Sequence, residues 1–169
     1  FYALELAKEY GCIISYDPNY RAPLWDSREK AVEGMRSVLS YVDVMKLSDE
    51  ETELLTGISE PEMAAKKLLE NGISIVAVTL GADGALICTK EGCEHVKGYQ
   101  VRIVDTTGAG DSFWGGFLMQ LLDSGKMPCE VSLKEAAAFA DYGNAVASLC
   151  VEKRGAIPAM PTKAEVEKR

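Results

Sequence analysis

Short apolar runs alternate along this chain with longer segments of helical periodicity, and this alternation restricts the possible fold more than any other feature. Residues 12–16, 42–47 and 73–80 have the length and apolar character of buried strands. Helices are predicted for residues 1–10, 28–40, 48–56, 60–71, 110–124 and 132–151. The alternation predicts an α/β fold: a doubly wound, mostly parallel sheet with helices on both faces and a ligand site at the carboxyl ends of the strands.

A glycine-rich turn precedes the first of the two long helices near the C-terminus. Residues 85–89 and 93–97 predict a hairpin, and residues 99–104 predict a further extended run that leads into this turn. We expect positive φ at Gly108 and Gly110, so that their backbone N–H groups face a common point. The helix that follows adds its unpaired N–H donors and the positive end of its dipole. The turn therefore predicts a bound anion.

Asp111 lies where this anion would bind, so its carboxylate is placed to take a proton from an incoming hydroxyl group. Such a pairing indicates phosphoryl transfer to an alcohol. A simpler alternative is that Asp111 only caps the helix, a contribution of about 1 kcal/mol. The turn also lacks both a Walker pattern and a complete Gly-x-Gly-x-x-Gly. The spacing by itself leaves both roles open.

Length and charge narrow the class of protein. The chain of 169 residues fits one α/β domain with a single core. A formal net charge of −8 and a pI near 4.8 argue against nucleic acid and anionic membrane surfaces as partners, so local donors or a metal ion must hold an anionic ligand. The five cysteines are odd in number and scattered, which predicts small core residues in a reducing, cytoplasmic compartment rather than a disulfide framework or a zinc site.

The string Asp105-Thr-Thr-Gly-Ala-Gly-Asp-Ser-Phe113 closely resembles the C-terminal signature of the ribokinase-like (PfkB) sugar kinases. The resemblance implies that Asp111 is the catalytic base. It also implies that Gly108, Ala109 and Gly110, with the amide of Asp111, hold the γ-phosphoryl group of ATP during its transfer. The implied fold is the C-terminal half of the ribokinase-like fold.

The resemblance implies two cation sites. Residues 46–51 read Lys-Leu-Ser-Asp-Glu-Glu, and Glu51 matches the Glu of the family pattern Asn-x-x-Glu, which helps to organise Mg²⁺ and its water molecules. Ser48 replaces the Asn, as in the fructokinase branch, and a capping box between Ser48 and Glu51 is the alternative reading. Asp105 and Thr107 match positions that bind a monovalent cation such as K⁺ in many relatives. Turn formation is their alternative role.

Three further segments resemble the ATP site of this family. Thr79, Gly81 and Gly84 lie in Thr-Leu-Gly-Ala-Asp-Gly, which matches the family's Thr-Leu-Gly-x-x-Gly along the nucleotide and otherwise reads as a turn. Asn144 and Gly155 match the stretch that flanks the adenine. A helical Asn would otherwise be an ordinary polar residue of an exposed face.

The loop Asp17-Pro-Asn-Tyr-Arg21, followed by Leu24-Trp25, carries the substrate prediction. It resembles the loops of bacterial fructokinases and of relatives that act on ketosugars and keto-acids. Asn19 and Arg21 are therefore the predicted substrate residues, and the Arg21 guanidinium offers a forked donor set to phosphate or carboxylate. Hydrogen bonding within the loop is the alternative.

The resemblance covers essentially all 169 residues but only the C-terminal half of the family pattern, and Phe1 falls inside a predicted helix. We therefore expect a fragment that lacks the N-terminal sugar-binding part and the lid, which in many members form a homodimer interface. The implied activity of the intact enzyme is ATP- and Mg²⁺-dependent phosphorylation of a ketohexose. The fragment alone is expected to bind ATP weakly and to be inactive. A 2-keto-3-deoxygluconate kinase, another PfkB sugar kinase and a nucleotide-binding module without catalysis remain alternatives.

Overall fold

The structure, a computed structural model, describes all residues from Phe1 to Arg169. Its centre is a five-stranded sheet in the order β1-β2-β3-β4-β5. The strands are β1 (Ser15–Tyr16), β2 (Val44–Ser48), β3 (Ile75–Thr79), β4 (Ala85–Thr89) and β5 (Gly92–Val96). The first three strands are parallel, and β4 runs antiparallel to both β3 and β5. The predicted hairpin and the predicted α/β class are confirmed.

Helices cover both faces of this sheet, as the alternation of elements predicts. They are α1 (Tyr2–Glu9), α2 (Arg28–Arg36), α3 (Asp49–Thr56), α4 (Pro61–Leu69), α5 (Ala109–Asp123), α6 (Leu133–Val151) and the short α7 (Lys163–Val166). No helix combines the length and the apolar character that a transmembrane span requires.

Alternate residues of the central strands build two separate cores, one on each face of the sheet, so the expectation of a single core is wrong. Val76 and Val78 of β3 pack with side chains of α2, α3 and α4, whereas Ile75 and Ala77 pack with side chains of α5 and α6. Successive side chains of a strand point to opposite faces, so a run that is apolar throughout, such as β3, is buried on both. The helices around it must therefore occupy both faces.

Two extended segments are shorter than the sequence predicts. β1 contains only Ser15 and Tyr16 of the predicted residues 12–16, because the Ile14 N–H donates to Asp43 Oδ2 at 2.7 Å instead of to a strand carbonyl. Residues 99–104 form no strand. Their backbone leaves the sheet, and the Val104 N–H donates to Val151 O in α6. Apolar character alone does not provide the neighbouring strand that a ladder requires.

The prediction of unpaired core cysteines is wrong for four of the five: two are paired and two are exposed. Cys88 and Cys93 face each other across the β4–β5 hairpin and form a disulfide. Cys12 and Cys129 are exposed, and only Cys150 is a free cysteine of the core. The spacing of Cys88 and Cys93 within the predicted hairpin is the signal that could have revealed the pair, because residues directly opposite in an antiparallel ladder have close Cβ atoms.

The disulfide predicts a defined pattern of thiol labelling. Protein unfolded in air-equilibrated buffer without reductant and treated with iodoacetamide should carry label on Cys12, Cys129 and Cys150 only, and reduction should add Cys88 and Cys93. Peptide mass spectrometry makes the measurement. A Cys88→Ser variant is the control, because it should expose Cys93 to label before reduction. Label on all five cysteines without reductant would contradict the bond.

Candidate functional site

The start of α5 lies at the carboxyl ends of β1 and β2. The Trp114 indole N–H donates to Ser15 Oγ in β1 at 2.8 Å, which joins the helix to the edge strand. Trp114 is buried and stacks on Phe117 with 4.8 Å between ring centroids. At the first turn, an ideal Cβ added to Gly110 would lie 3.0 Å from Lys46 Nζ of β2. The glycine-rich turn therefore faces the strand ends where α/β sheets bind ligands.

Gly108 forms the turn that precedes α5. Its φ is 79°, in the left-handed region that favours glycine, and it is the N-cap of the helix. A Cβ on Gly108 would also lie 2.7 Å from Ala156 Cβ, so the chain after α6 packs directly against the turn. The expectation of a positive φ at Gly110 is wrong, because Gly110 is already part of α5. The close Lys46 side chain is what restricts that position.

The first turn of α5 presents two free backbone donors. The Ala109 N–H donates to Thr106 O at 3.1 Å and the Ser112 N–H donates to Gly108 O at 2.8 Å, whereas the N–H groups of Gly110 and Asp111 have no acceptor in the protein. The sequence prediction included the Ala109 amide, which is committed to the turn. Two free donors at the positive end of a helix dipole are suited to a phosphate-like anion.

Asp111 is exposed at the third position of α5, and its carboxylate accepts no hydrogen bond from the protein. The N-cap is Gly108, and no side chain caps the helix. The alternative that Asp111 is a hydrogen-bonding helix cap is therefore wrong. The carboxylate is free to accept a proton from a ligand bound beside the two amides.

Asp105 organises the back of the turn. Its Oδ1 accepts from the Thr107 N–H at 2.9 Å and the Thr107 hydroxyl at 2.7 Å, and its Oδ2 accepts from the Gly155 N–H at 2.9 Å. These hydrogen bonds, chiefly those from Thr107, lower the pKa of Asp105 to about 2. Asp105 and Thr107 thus form the turn, the alternative role that their sequence allowed. The N–H of Gly155, which is predicted near the adenine, anchors the chain after α6 to this turn.

Glu51 is buried and satisfies a capping box at the start of α3, since Ser48 Oγ accepts from the Glu51 N–H and Glu51 Oε2 accepts from the Ser48 N–H. Its Oε1 accepts from the Tyr20 N–H at 2.6 Å, which ties the loop of residues 17–25 to α3. No group of three or more His, Cys, Asp or Glu side chains is arranged to hold a metal ion. Oε1 keeps a second lone pair, which fits a contact to a metal-bound water molecule.

A cavity of about 320 Å³ adjoins the start of α5. Gly81 and Asn144, both predicted at the nucleotide, lie in its wall with Thr106 and Ala109, and much of the remaining wall is apolar. The Asn144 amide donates to Val96 O and Lys97 O at 3.1 and 3.2 Å, so it also fixes the chain after β5.

Thr79 and Gly84, predicted along the nucleotide, do not line this cavity. The Thr79 hydroxyl donates to Leu47 O at 3.2 Å, between two strands of the sheet. Gly84 has a φ of 96°, and a Cβ there would lie 2.1 Å from Val96 O. Both residues lie at the β3–β4 connection and contribute to its conformation.

The substrate loop brings only one of its two predicted residues to a cavity. Arg21 lines a second cavity of about 300 Å³ together with Ser48 and Glu51, and its guanidinium donates to Tyr20 O at 2.9 Å. Asn19 does not line it. Asn19 has a φ of 43°, and its N–H donates to Asp17 Oδ1 at 3.1 Å, which is the local bonding that the sequence left as an alternative.

The sequence predictions missed Lys46 and Asp17. Lys46 is only 6% exposed although it lies in the middle of β2, and its Nζ is 2.9 Å from Asp17 Oδ2. The signal was present, because a lysine inside the otherwise apolar run Val44-Met-Lys-Leu is unusual for a buried strand. Only the distance of 3.0 Å from Lys46 Nζ to the position of an ideal Cβ on Gly110 shows that this lysine reaches the glycine-rich turn.

Helices on both faces of a mixed sheet, with free amides of a helix start at the strand ends, are the arrangement in which α/β proteins bind phosphate groups. The chain belongs to the pfkB family of carbohydrate kinases, and the sequence pattern of that family matches residues 2–163.

Relatives and solved structures agree with this family. The chain is 44% identical over 168 residues to probable fructokinase-5 of Arabidopsis thaliana, covering 98% of this chain and 51% of that protein. It is 42% identical to fructokinase-2 of Solanum lycopersicum, covering 96% and 49%. The chain thus spans about half the length of the curated relatives that it matches.

Among solved structures, a fructokinase from Vibrio cholerae O395 in its fructose, ADP and calcium ion bound form superposes with a TM-score of 0.88 at 33% identity. The match covers 99% of this chain and 54% of that one. A ribokinase from Thermotoga maritima gives a TM-score of 0.74 at 34% identity and covers 98% and 51%. The predicted ribokinase-like fold is confirmed.

Replacement of Gly108 should show whether the turn requires glycine there or whether Gly108 only has the low helix propensity of any glycine. Gly108→Ala should lower the free energy of unfolding by about 1–3 kcal/mol, because alanine resists the φ of 79° and its Cβ meets Ala156. Gly115→Ala in the same helix is the control, because a Cβ there has no neighbour within 4 Å and should stabilise by about 0.5–1 kcal/mol. Urea unfolding followed by circular dichroism measures both. Equal effects of the two changes would exclude a special role of Gly108.

The low pKa of Asp105 predicts how stability depends on acid. The unfolded carboxyl has an ordinary pKa of 3.8 and the folded one about 2, so its contribution is complete above the higher value and is lost as the pH falls through the lower one. Asp105→Asn should therefore lower Tm at neutral pH, and the Tm difference from the parent should close below about pH 4. Calorimetric scans from pH 7 to pH 2 measure this. A difference that persists unchanged at pH 2 would contradict it.

Proposed function

We propose that the chain is the nucleotide-binding and phosphoryl-transfer part of an ATP-dependent sugar kinase, with fructose as the first candidate acceptor. The observation that carries the proposal is the combination of two free amides and one free carboxylate on the first turn of α5, at Gly110 and Asp111. The curated relatives named fructokinases and the solved fructokinase with bound fructose and ADP support it.

In the proposed reaction, Asp111 accepts the proton of a sugar hydroxyl while that oxygen forms a bond to the γ-phosphorus of ATP and the bond to the ADP oxygen breaks. The N–H groups of Gly110 and Asp111 hold the phosphoryl oxygens, and the dipole of α5 favours their negative charge. The transition state of such a transfer is loose, so positioning and charge stabilisation account for most of the catalysis. The free position of Asp111 suits this proton transfer.

The residues around the turn fit the remaining parts of such a site. Mg²⁺ would neutralise the phosphate oxygens, with Glu51 in contact through water, and K⁺ would lie near Asp105 and Thr107 behind the turn. The adenine would occupy the cavity next to Asn144 and Gly81. Arg21 would face the sugar side, in the cavity that it shares with Glu51.

The proposal extends beyond residues 1–169. Because the chain spans about half of its curated relatives, we assign most of the sugar pocket, the lid and any homodimer interface to a segment outside these residues. We propose a cytoplasmic location with no nucleic acid or membrane partner, although one relative is a probable chloroplastic fructokinase. Residues 1–169 alone should bind ATP weakly without phosphorylating a sugar, since nothing in them closes over the acceptor.

Replacement of Asp111 tests the assigned base. In the intact enzyme, Asp111→Asn should keep ATP affinity and lower kcat on the order of 10²- to 10⁴-fold, the usual contribution of a general base. Coupled ADP release measures kcat, and calorimetric titration measures affinity. Asp123→Asn makes the same chemical change at the other end of α5 and should leave both unchanged. Turnover of Asp111→Asn close to that of the parent would remove Asp111 from the mechanism.

Two further measurements separate the alternatives. A panel of acceptors that includes fructose and 2-keto-3-deoxygluconate identifies the sugar through the ratio of kcat/KM values. Titration of residues 1–169 with ATP and Mg²⁺ tests nucleotide binding apart from catalysis. Nucleotide binding without turnover of any sugar by the intact protein would favour the module without catalysis.

A further inference from the structure

Lys46 is the one charged residue buried inside a strand of the sheet and outside the capping box of α3. It lies on the same face of β2 as Val44, which packs against α5, so its side chain extends toward the start of that helix. Its Nζ is 3.0 Å and its Cε 3.5 Å from the position of an ideal Cβ on Gly110. The ammonium group is therefore next to one of the two free amides.

The hydrogen bonds of this ammonium group are incomplete. A lysine has three N–H donors, and Asp17 Oδ2 is the only acceptor that the protein provides for Lys46. The side chain is 8% exposed, so little water reaches the other donors. Buried charged groups are normally paired and hydrogen-bonded because their desolvation is costly. An anion at the start of α5 would accept hydrogen bonds from the remaining N–H donors of Lys46.

The surrounding charges indicate the same role. Three carboxylates lie around the ends of β1 and β2, those of Asp17, Glu51 and Asp111. The burial of Tyr16, and then the negative charges of Asp17 and Glu51, raise the pKa of the Tyr16 phenol. A triphosphate would meet repulsion here if the helix dipole, equivalent to about half an elementary charge, were the only positive group. Lys46 adds a full positive charge in a site of low exposure, where electrostatic interactions are strong.

Building on the proposed kinase function, we propose that Lys46 is a second catalytic residue that contacts the γ-phosphoryl group together with the amides of Gly110 and Asp111. Asp17 is its positioning residue: it holds the ammonium beside the turn when no phosphate is bound. Asp17 begins the loop of residues 17–25, and Tyr20 of that loop donates to Glu51. The ion pair therefore links the loop on the sugar side to the phosphoryl site.

A purely structural ion pair is the competing explanation, and it makes a different prediction. If Lys46 and Asp17 only hold β1 and β2 together, loss of Lys46 harms the site through the uncompensated carboxylate that remains. Replacement of both members by neutral residues should then restore nucleotide binding. If Lys46 contacts the phosphoryl group, the double replacement restores stability but not the preference for a triphosphate.

The test compares nucleotide affinities of the intact enzyme by calorimetric titration without sugar, with Mg²⁺ and either ADP or a non-hydrolysable ATP analogue. The parent should prefer the analogue. Lys46→Met should lose that preference by on the order of 10- to 100-fold, the range for a charge-assisted hydrogen bond, with ADP affinity nearly unchanged. Lys66→Met is the control, because Lys66 forms an exposed ion pair with Glu62 far along the sequence from the turn.

If Lys46→Met alone unfolds the protein, the double variant Asp17→Asn with Lys46→Met takes its place in the test. It should recover the thermal stability that the single change loses and still show no preference for the ATP analogue. Recovery of the preference in the double variant, or its retention in a folded Lys46→Met variant, would overturn the assignment of Lys46. A parent chain that binds neither nucleotide would overturn the proposed function itself, and the role of Lys46 with it.

Discussion

Aromatic packing at the first turns of α5 positions the whole candidate site. Trp114 and Phe117 are buried and stacked, and the Trp114 indole is hydrogen-bonded to Ser15 of β1. Protein cores are as dense as organic crystals, so a helix held in this way cannot shift without opening a void. The amides of Gly110 and Asp111 are therefore fixed in orientation before a ligand arrives. Such preorganisation is what allows a small number of dipoles to stabilise a developing charge.

The central strands β2 and β3 are mostly apolar on both faces of the sheet, and several polar groups lie where β1 and β2 end. Lys46 is the exception inside a strand, and its charge is offset by Asp17. Glu51 is likewise buried, and both of its carboxylate oxygens accept hydrogen bonds, from Ser48 and Tyr20. These contacts join the loop of residues 17–25 to the two neighbouring strand ends. The loop that we propose to face the sugar is thus hydrogen-bonded to the strand ends beside the proposed phosphoryl site.

Elements that depend on local pattern were predicted well. β3, the β4–β5 hairpin, α5 and α6 follow from apolar periodicity and from caps that lie within a few residues of each other. Elements that depend on a partner far along the chain were predicted poorly. β1 is short because Asp43 takes the Ile14 N–H, and residues 99–104 find α6 instead of a strand. To predict the Cys88–Cys93 bond, one needed the pairing register of the hairpin and not only its presence.

The sequence by itself determined the α/β class, the family resemblance of residues 105–113, and the position of Asp111 on a glycine-rich helix start. The class follows from the alternation of elements along the chain, and each element is itself a short contiguous segment. The resemblance and the position of Asp111 also lie in one short segment, where backbone sterics and helix geometry act between near neighbours. Only the tertiary structure decided that Gly108 rather than Gly110 has a positive φ, that the Ala109 amide is committed to Thr106, and that Lys46 meets both Asp17 and the turn. The two contacts of Lys46 join residues far apart in the chain. They depend on strand register and on the packing of α5 over the sheet, which periodicity does not encode.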